Sequence, residues 1–421
     1  MSNRPENNSP GKPQPLFTAD FLRVLPIHFL VMGSFGIYFF LPQFIRLTGG
    51  EEFLIGLTMG APAFTSLLLR LPAGNWIDRY GRRRMVILGL ALFTVSTFLP
   101  VLAGGAGLFL LFARGLLGVA MVVYFTSLVT YVVEKAPSRR RAEAIAIYGA
   151  GGFIAQAISP YLCEWLLANL PFEPVSRFRI LFALSGVLSG LALAAGLNMA
   201  EDHRRCAQDM LPDPWYRVIR KPSMIFLMLP SLAFGAGYTA IFSFVADFTQ
   251  VNALGAPSNF FISYSVVIII LRLFTGRVLD TVDRRIGVIV SLLMMGCGLA
   301  YASFCSGRLD LIAVGILTGT GHCYIFPTLS TLTFDSSEPR NRGISMALYM
   351  LGFDLSTMLA SPILGKIAER WDYFTMYRVA AFFLLAGILA YAAGLHHHTP
   401  GALERSADDS DRYIKNAGAV R

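Results

Sequence analysis

Twelve long apolar runs punctuate the chain, near 21–42, 53–73, 85–103, 107–131, 143–168, 178–200, 223–248, 257–276, 286–305, 310–334, 343–366 and 374–396. No other feature restricts the fold so strongly. About 20 apolar residues in a helix cross the ~30 Å hydrocarbon layer of a bilayer. In that layer every backbone N–H and C=O must be bonded internally, which leaves helices or a closed barrel. The runs lack the strict apolar–polar alternation of barrel strands, so helices are expected throughout. Composition points the same way, because only 14% of the 421 residues are charged, against about a quarter in soluble domains. The fold class read from the sequence is an all-α polytopic membrane protein with twelve transmembrane helices.

Polar segments set the topology. Residues 1–20 and 397–421 read as tails, and 201–222 as a linker between six runs and six. The first run is too long for a cleaved leader and leads into further spans, so it is expected to remain. The net charge of +9 might suggest nucleic acid, but its placement does not. Loops on the side of residues 75–84 carry 18 Lys and Arg, and the opposite loops carry 7. That is the positive-inside bias, and it assigns the basic loops and both termini to the cytoplasm of a plasma (inner) membrane. The expected partners are a small-molecule substrate and membrane lipid, with no nucleic acid. The five Cys include no C-x-x-C pair and read as packed thiols.

The halves 21–200 and 223–396 are related by a constant offset of 202 residues. Arg70 falls on Arg272, Gly74 on Gly276, Asp78 on Asp280, Arg82 on Arg284 and Arg83 on Arg285. The same shift sets Pro137 on Pro339, Arg140 on Arg342, Ser159 on Ser361 and Pro160 on Pro362. A repeat of six spans keeps both halves in one orientation, giving two parallel six-helix bundles.

Between the second and third runs stands "GNWIDRYGRRR", with a weaker copy, "GRVLDTVDRR", after the eighth. The first closely resembles the signature G-x-x-x-D-R-x-G-R-[RK] of the major facilitator superfamily, a family of secondary transporters. The resemblance covers about 21–396 through span number, repeat, topology and both loops. Parallel repeats about an axis along the membrane normal are the plan for which this superfamily's two halves are the type example. In physical terms, Gly74 would allow close approach of the second helix to a neighbour and Gly81 a tight reversal. Asp78 can cap helix N–H groups or pair with Arg. The resemblance implies a conformational latch of Gly74, Asp78, Arg79, Gly81, Arg82 and Arg83 in the first half, with Gly276, Asp280 and Arg284 in the second. It would lock the two bundles at the cytoplasmic side, against the start of the eleventh span near Arg342–Ser345. In the second copy Thr281 and Asp283 replace an Arg and a Gly, so the two latches are unequal.

Ionisable residues within the runs are the candidates for substrate and proton coupling, because a charge there must be paired, neutralised or wetted. Arg114 stands in "ARGLLGVAM", which resembles the family's second motif, and suits an anionic substrate group, a proton site or a structural pair. Asp354 is about halfway along the eleventh span and His322 about halfway along the tenth. A mid-span carboxylate can carry a proton, as can a His titrating near neutrality. The resemblance places spans 1, 4, 7 and 10 around a central cavity, with 2, 5, 8 and 11 beside them. "YGAGGFIAQAISPYLCEW" resembles a degraded antiporter motif. Gly149, Gly152 and Pro160, repeated as Gly352 and Pro362, also suit plain helix packing. His28 and Arg23 read as structural, Asp247 as an exposed rim residue, and Arg70 and Arg272 as snorkelling side chains or partners of Asp78 and Asp280. Phe35, Tyr38, Phe39, Phe40, Tyr124 and Phe125 are candidates for an aromatic wall. The run His396–His398 is too weak a pattern to suggest a bound metal.

No phosphate loop, metal-ligand spacing or nucleophile elbow is present, so neither an ATP-driven pump nor an enzyme is expected. No cofactor is expected beyond a proton or other ion gradient. The first reading is alternating-access, proton-coupled efflux of a small amphipathic compound, a drug or a siderophore-like metabolite, by a monomer. The alternatives are proton-coupled uptake of a polar or anionic metabolite, with Arg114 as clamp, and a transport-dead membrane sensor or scaffold.

Overall fold

A computed structural model describes residues 16–137, 140–200, 213–279, 283–338 and 341–397. The apolar runs become twelve helices: α1 Ala19–Leu47, α2 Glu52–Tyr80, α3 Arg82–Phe98, α4 Leu108–Lys135, α5 Arg141–Asn169 and α6 Pro174–Gly196 in the first half. The second half holds α7 Pro222–Val251, α8 Pro257–Leu279, α9 Arg284–Ala302, α10 Arg308–Asp335, α11 Arg342–Arg370 and α12 Tyr373–His397. Eleven are long and apolar enough to cross a membrane, and Pro257–Arg272 of α8 forms a shorter apolar stretch. At 1.5 Å per residue a 28-residue helix such as α4 is roughly 42 Å long, enough for hydrocarbon and both interfaces.

Local chemistry sets several boundaries. Thr18 caps α1 by accepting from Phe21 N at 3.3 Å, and Asp283 caps α9 by accepting from Arg285 N. Pro174 and Pro222 open their helices, where a missing N–H costs nothing. Gly81 separates α2 from α3 with φ +92°, which only glycine adopts without strain. Tyr38–Phe40 tighten to a 3₁₀ turn within α1, just ahead of Pro42.

Inside each half, small hydroxyls join the helices. Tyr38 Oη donates to Thr97 O at 2.7 Å, Ser34 and Ser185 pair at 2.7 Å, and Thr65 Oγ1 donates to Gly115 O at 2.7 Å. In the second half Ser231 Oγ donates to Tyr349 O at 2.8 Å. Between apolar helices in lipid there is no hydrophobic drive to associate, so such bonds and close backbone packing replace it.

The two halves meet along a seam with two ends, one carrying the α2–α3 loop (the motif end) and one opposite. At the opposite end contact is dense. Arg46, closing α1, donates from Nε to Asp247 on α7 at 2.7 Å and from Nη2 to Glu52 on α2 at 2.6 Å. Tyr373, opening α12, also bonds Asp247. Gln43 Nε2 donates to Ala246 O at 2.9 Å. Glu164 on α5 accepts from both Ser258 N, at 2.6 Å, and Ser258 Oγ, at 2.5 Å, at the start of α8. Helices α2 and α11 touch backbone to backbone: a Cβ on Gly56 would lie 2.2 Å from Ser361 O, and one on Gly365 2.3 Å from Glu52 O. A Cβ on Gly74 of α2 or on Gly343 of α11 would meet nothing within 4 Å.

Two sequence expectations change here. Asp247 is not a rim residue but fully buried, because Arg46 and Tyr373 converge on it. Gly74 makes no close approach in this conformation. Removing one partner of a buried charge pair costs about 3–5 kcal/mol, since the other charge stays buried and uncompensated. Arg46→Ala should therefore lower the thermal unfolding midpoint of the purified protein markedly, and exposed Arg217→Ala should leave it nearly unchanged.

Candidate functional site: an aromatic centre with two arginines

Midway along the seam the side chains become polar, aromatic and basic. His322 lies 14 residues into α10, so about 21 Å from its start. Four rings surround it: Phe234 of α7 at 5.1 Å between centroids, Tyr264 of α8 at 5.7 Å, Tyr238 of α7 at 5.8 Å and Phe153 of α5 at 5.8 Å. All four meet the imidazole edge-to-face, at interplanar angles from 63° for Tyr264 to 85° for Phe153. Tyr264 Oη is hydrogen-bonded to His322 Nδ1. Phe153 belongs to the first half and the other three rings to the second, so the box straddles the seam.

Two arginines face this centre without carboxylates. Arg114 of α4 is 3% exposed, with Nε and Nη1 lacking any hydrogen-bond partner. Its guanidinium lies 5.3 Å from the Tyr38 ring, and Nη2 reaches only Met59 Sδ at 3.9 Å. Arg272 of α8 places its guanidinium 4.8 Å from the Phe153 ring, and its Nε also lacks a partner. Cation–π contact offsets part of the desolvation of each. Neither forms an ion pair with a described carboxylate.

A third arginine is fully matched. Arg70 of α2 donates from Nε at 2.8 Å and Nη2 at 2.5 Å to Asp354 Oδ2 of α11. The pair crosses the seam, with Arg70 15% and Asp354 6% exposed at the side chain. Arg70 thus does not snorkel, because α11 presents a carboxylate at the same depth, 284 residues away in sequence.

The remaining candidates are distributed around this centre. In the motif loop, Arg82 pairs with Glu134 of α4 at 3.0 Å and Arg83 donates to Leu197 O at 2.9 Å, both within the first half. Arg79 lies 5.6 Å over the Tyr80 ring. Arg284 pairs with Asp335 inside the second half. The expected partner region on α11 is occupied otherwise: Arg342 sits 4.2 Å over Phe334. The Arg82–Glu134, Arg83–Leu197 and Arg284–Asp335 contacts each run inside one half. Asp280 lies outside the described residues, as do the surroundings of Asp78 and Gly276. The same holds for the side chains of His396 and His397 and for His398.

The packing glycines divide their work. A Cβ on Gly149 would lie 2.5 Å from Arg272 Nη1, and one on Gly152 would lie 2.7 Å from His28 Nε2. Helix α5 therefore seats Arg272 on one face and α1 on another. Gly352 lies in ordinary contact with Ser231. Pro160 and Pro362 are internal to α5 and α11, and the adjacent Ser159 Oγ donates to Gly33 O at 2.8 Å. His28 is buried as structure, stacked 3.8 Å from Tyr148 and 3.2 Å from Tyr124 Oη. Arg23 pairs with Asp20. Of the expected aromatic wall, Tyr38 lies under Arg114, and Phe39 stacks at 4.7 Å on Phe261 across the seam. The rings around His322 come from α5, α7 and α8 and were hidden among 33 Phe and 16 Tyr.

Two helical halves that close at one end over a buried polar centre define a membrane transporter, not an enzyme. The family model described as Major Facilitator Superfamily matches residues 24–264 and 251–415, and the chain belongs to that superfamily. Among curated relatives, multidrug resistance protein 2 of Bacillus subtilis is 25% identical over 321 residues, covering 71% of this chain and 73% of the relative. The staphylopine export protein of Staphylococcus aureus is 20% identical, covering 86% and 93%. Among solved structures, a POT family transporter bound to a thioalcohol-conjugated peptide superposes with a TM-score of 0.72 at 13% identity, covering 89% of this chain and 95% of that one. The human organic anion transporter MFSD10 gives 0.68 at 13% identity, covering 88% and 98%. These two likenesses establish the fold.

The seam pair has a direct check. Arg70→Ala leaves Asp354 buried without a counter-charge and should destabilise the purified protein by about 3–5 kcal/mol. The exchanged double variant Arg70→Asp/Asp354→Arg should recover most of that loss, measured as thermal midpoints of the three variants beside the parent.

Proposed function

We propose that the chain exports a small amphipathic compound in exchange for protons, with the motif end and both termini in the cytoplasm of a plasma membrane. It would act as a monomer, using the ion gradient and no bound cofactor. The observation that carries this reading is the Arg70–Asp354 pair, a buried carboxylate tying the halves together at mid-depth. A proton on Asp354 removes its charge and weakens the tie. Proton occupancy and the packing of α2 against α11 are then one equilibrium, which is the minimum that coupled transport requires.

Efflux is supported by the relatives, one a multidrug resistance protein and one a staphylopine export protein. The rings of Phe153, Phe234, Tyr238 and Tyr264 suit an apolar, partly aromatic body. In this orientation the structure is closed on the outside, by Arg46, Asp247, Glu52 and Tyr373. The motif loops would then take up their cross-seam contacts in the opposite state. One observation favours a second reading: the partnerless nitrogens of Arg114 suit a clamp for an anionic metabolite taken up with protons.

Reconstitution into liposomes with an internal pH-sensitive dye separates these. With an imposed proton gradient, substrate-dependent proton flux opposite in direction to the substrate supports exchange, and flux in the same direction supports uptake. Asp354→Asn should reduce the flux to that of empty liposomes. Full flux in that variant would remove Asp354 from coupling.

A further inference from the structure

The internal repeat supplies a comparison that neither half offers alone. Arg70 and Arg272 are equivalent under the 202-residue offset, each on the helix that meets the other half along the seam. Arg70 on α2 finds Asp354 on α11. The position equivalent to Asp354 on α5 is Gly152, which has no side chain to offer. Arg272 instead rests against Gly149, beneath Phe153, with its Nε unbonded and no described carboxylate paired to it. The fold therefore contains the same cation twice, once neutralised by the protein and once left open at the aromatic centre. An uncompensated guanidinium within the membrane is costly, and it persists where a ligand or water meets it. The ionisable groups beside Arg272 are the Cys323 thiol, hydrogen-bonded to it, with His322 and Tyr264, and none of the three is a carboxylate.

We propose that Arg272 is the anion-binding residue of the substrate site, and that the compound carried is an organic acid. Its carboxylate takes the place on Arg272 that Asp354 takes on Arg70. Its apolar body lies among Phe153, Phe234, Tyr238 and the His322 ring. A planar guanidinium receives a carboxylate through two parallel N–H···O bonds, a geometry that a neutral amide cannot reproduce with equal strength. Arg114, six residues into α4 and 5.3 Å from Tyr38, is a separate cation nearer the closed end and serves as the comparison. This inference rests on reading the aromatic centre as the substrate site.

The probes are 2-naphthylacetate, its neutral amide and 2-naphthylethylammonium, measured by equilibrium dialysis with purified full-length protein and no gradient. The parent should bind the acid at least about tenfold more tightly than the amide, the equivalent of one charge-assisted contact, and the ammonium compound most weakly. Arg272→Gln should erase the acid's advantage while leaving amide binding within about threefold. Arg272→Lys should retain part of it, and Arg114→Gln most of it. Gly149 offers a second route that keeps Arg272. Gly149→Asp supplies a carboxylate from the protein itself and should cancel the acid's advantage, whereas Gly149→Asn, of equal bulk, should preserve it. Equal binding of acid and amide by the parent overturns the proposal. So does preference for the ammonium compound, or an acid preference that survives Arg272→Gln and vanishes in Arg114→Gln. The assay is independent of coupling. Acid binding without proton flux in liposomes would sustain this site and defeat proton-coupled transport, and proton flux driven only by neutral or cationic compounds would do the reverse.

Discussion

A charge inside a bilayer must be met by an opposite charge, a hydrogen-bond partner or water, and the seam of this protein is organised by how it meets that requirement. Arg46 and Asp247 neutralise each other where the halves close. Arg70 and Asp354 do so at mid-depth. Arg114 and Arg272 are left with rings and no carboxylate. The first two arrangements hold the halves together, and the last two leave positive potential at the centre. Remaining contacts across the seam, such as Gly56 on Ser361 and Glu164 on Ser258, fix how closely the halves can approach so that these charges can pair. Because each tie joins one half to the other, breaking or protonating it acts on the relation between the halves and not on the packing within either.

The two ends of the seam carry different chemistry. The closed end is cross-braced by charged side chains with several bonds each, while at the motif loops Arg82 bonds Glu134, Arg83 bonds Leu197 O and Arg284 bonds Asp335. A rigid half with its own internal hydrogen bonds can rotate about the central contacts and exchange one set of end contacts for the other. The loop after α2 reverses at Gly81 with positive φ, which sets Arg82 against Glu134 and Arg83 against Leu197 O.

Much of this was legible in the sequence, and the failures share one cause. The apolar runs, the 202-residue repeat, the turn at Gly81, the placing of Arg114 within an apolar run and the mid-span depth of His322 and Asp354 follow from periodicity and burial cost alone. Asp247 was read as a rim residue because it lies four positions from the end of its helix, and depth along a helix does not reveal that Arg46 and Tyr373 converge there. Arg70 was read as a snorkelling side chain or a partner of Asp78, and its bond to Asp354 was out of view because that carboxylate is 284 residues distant. The aromatic box suffered similarly: Phe234, Tyr238 and Tyr264 are indistinguishable from packing residues until three helices are set side by side. Sequence pattern gives depth and face, and pairing across the seam needs the fold. The repeat could have sharpened the reading, since an Arg conserved between halves beside a carboxylate present in only one is visible without coordinates.

The central claim is that the two halves exchange closure at one end for closure at the other. Paired spin labels on a cysteine-free protein in lipid nanodiscs test it directly, with Leu47→Cys/Val251→Cys at the closed end and Tyr80→Cys/Met346→Cys at the motif end. Distance distributions by electron–electron double resonance, across pH and with substrate, should show opposite movements. Populations with a longer Leu47–Val251 separation should grow as those with a shorter Tyr80–Met346 separation grow. Both separations lengthening together, or neither responding, would contradict the account.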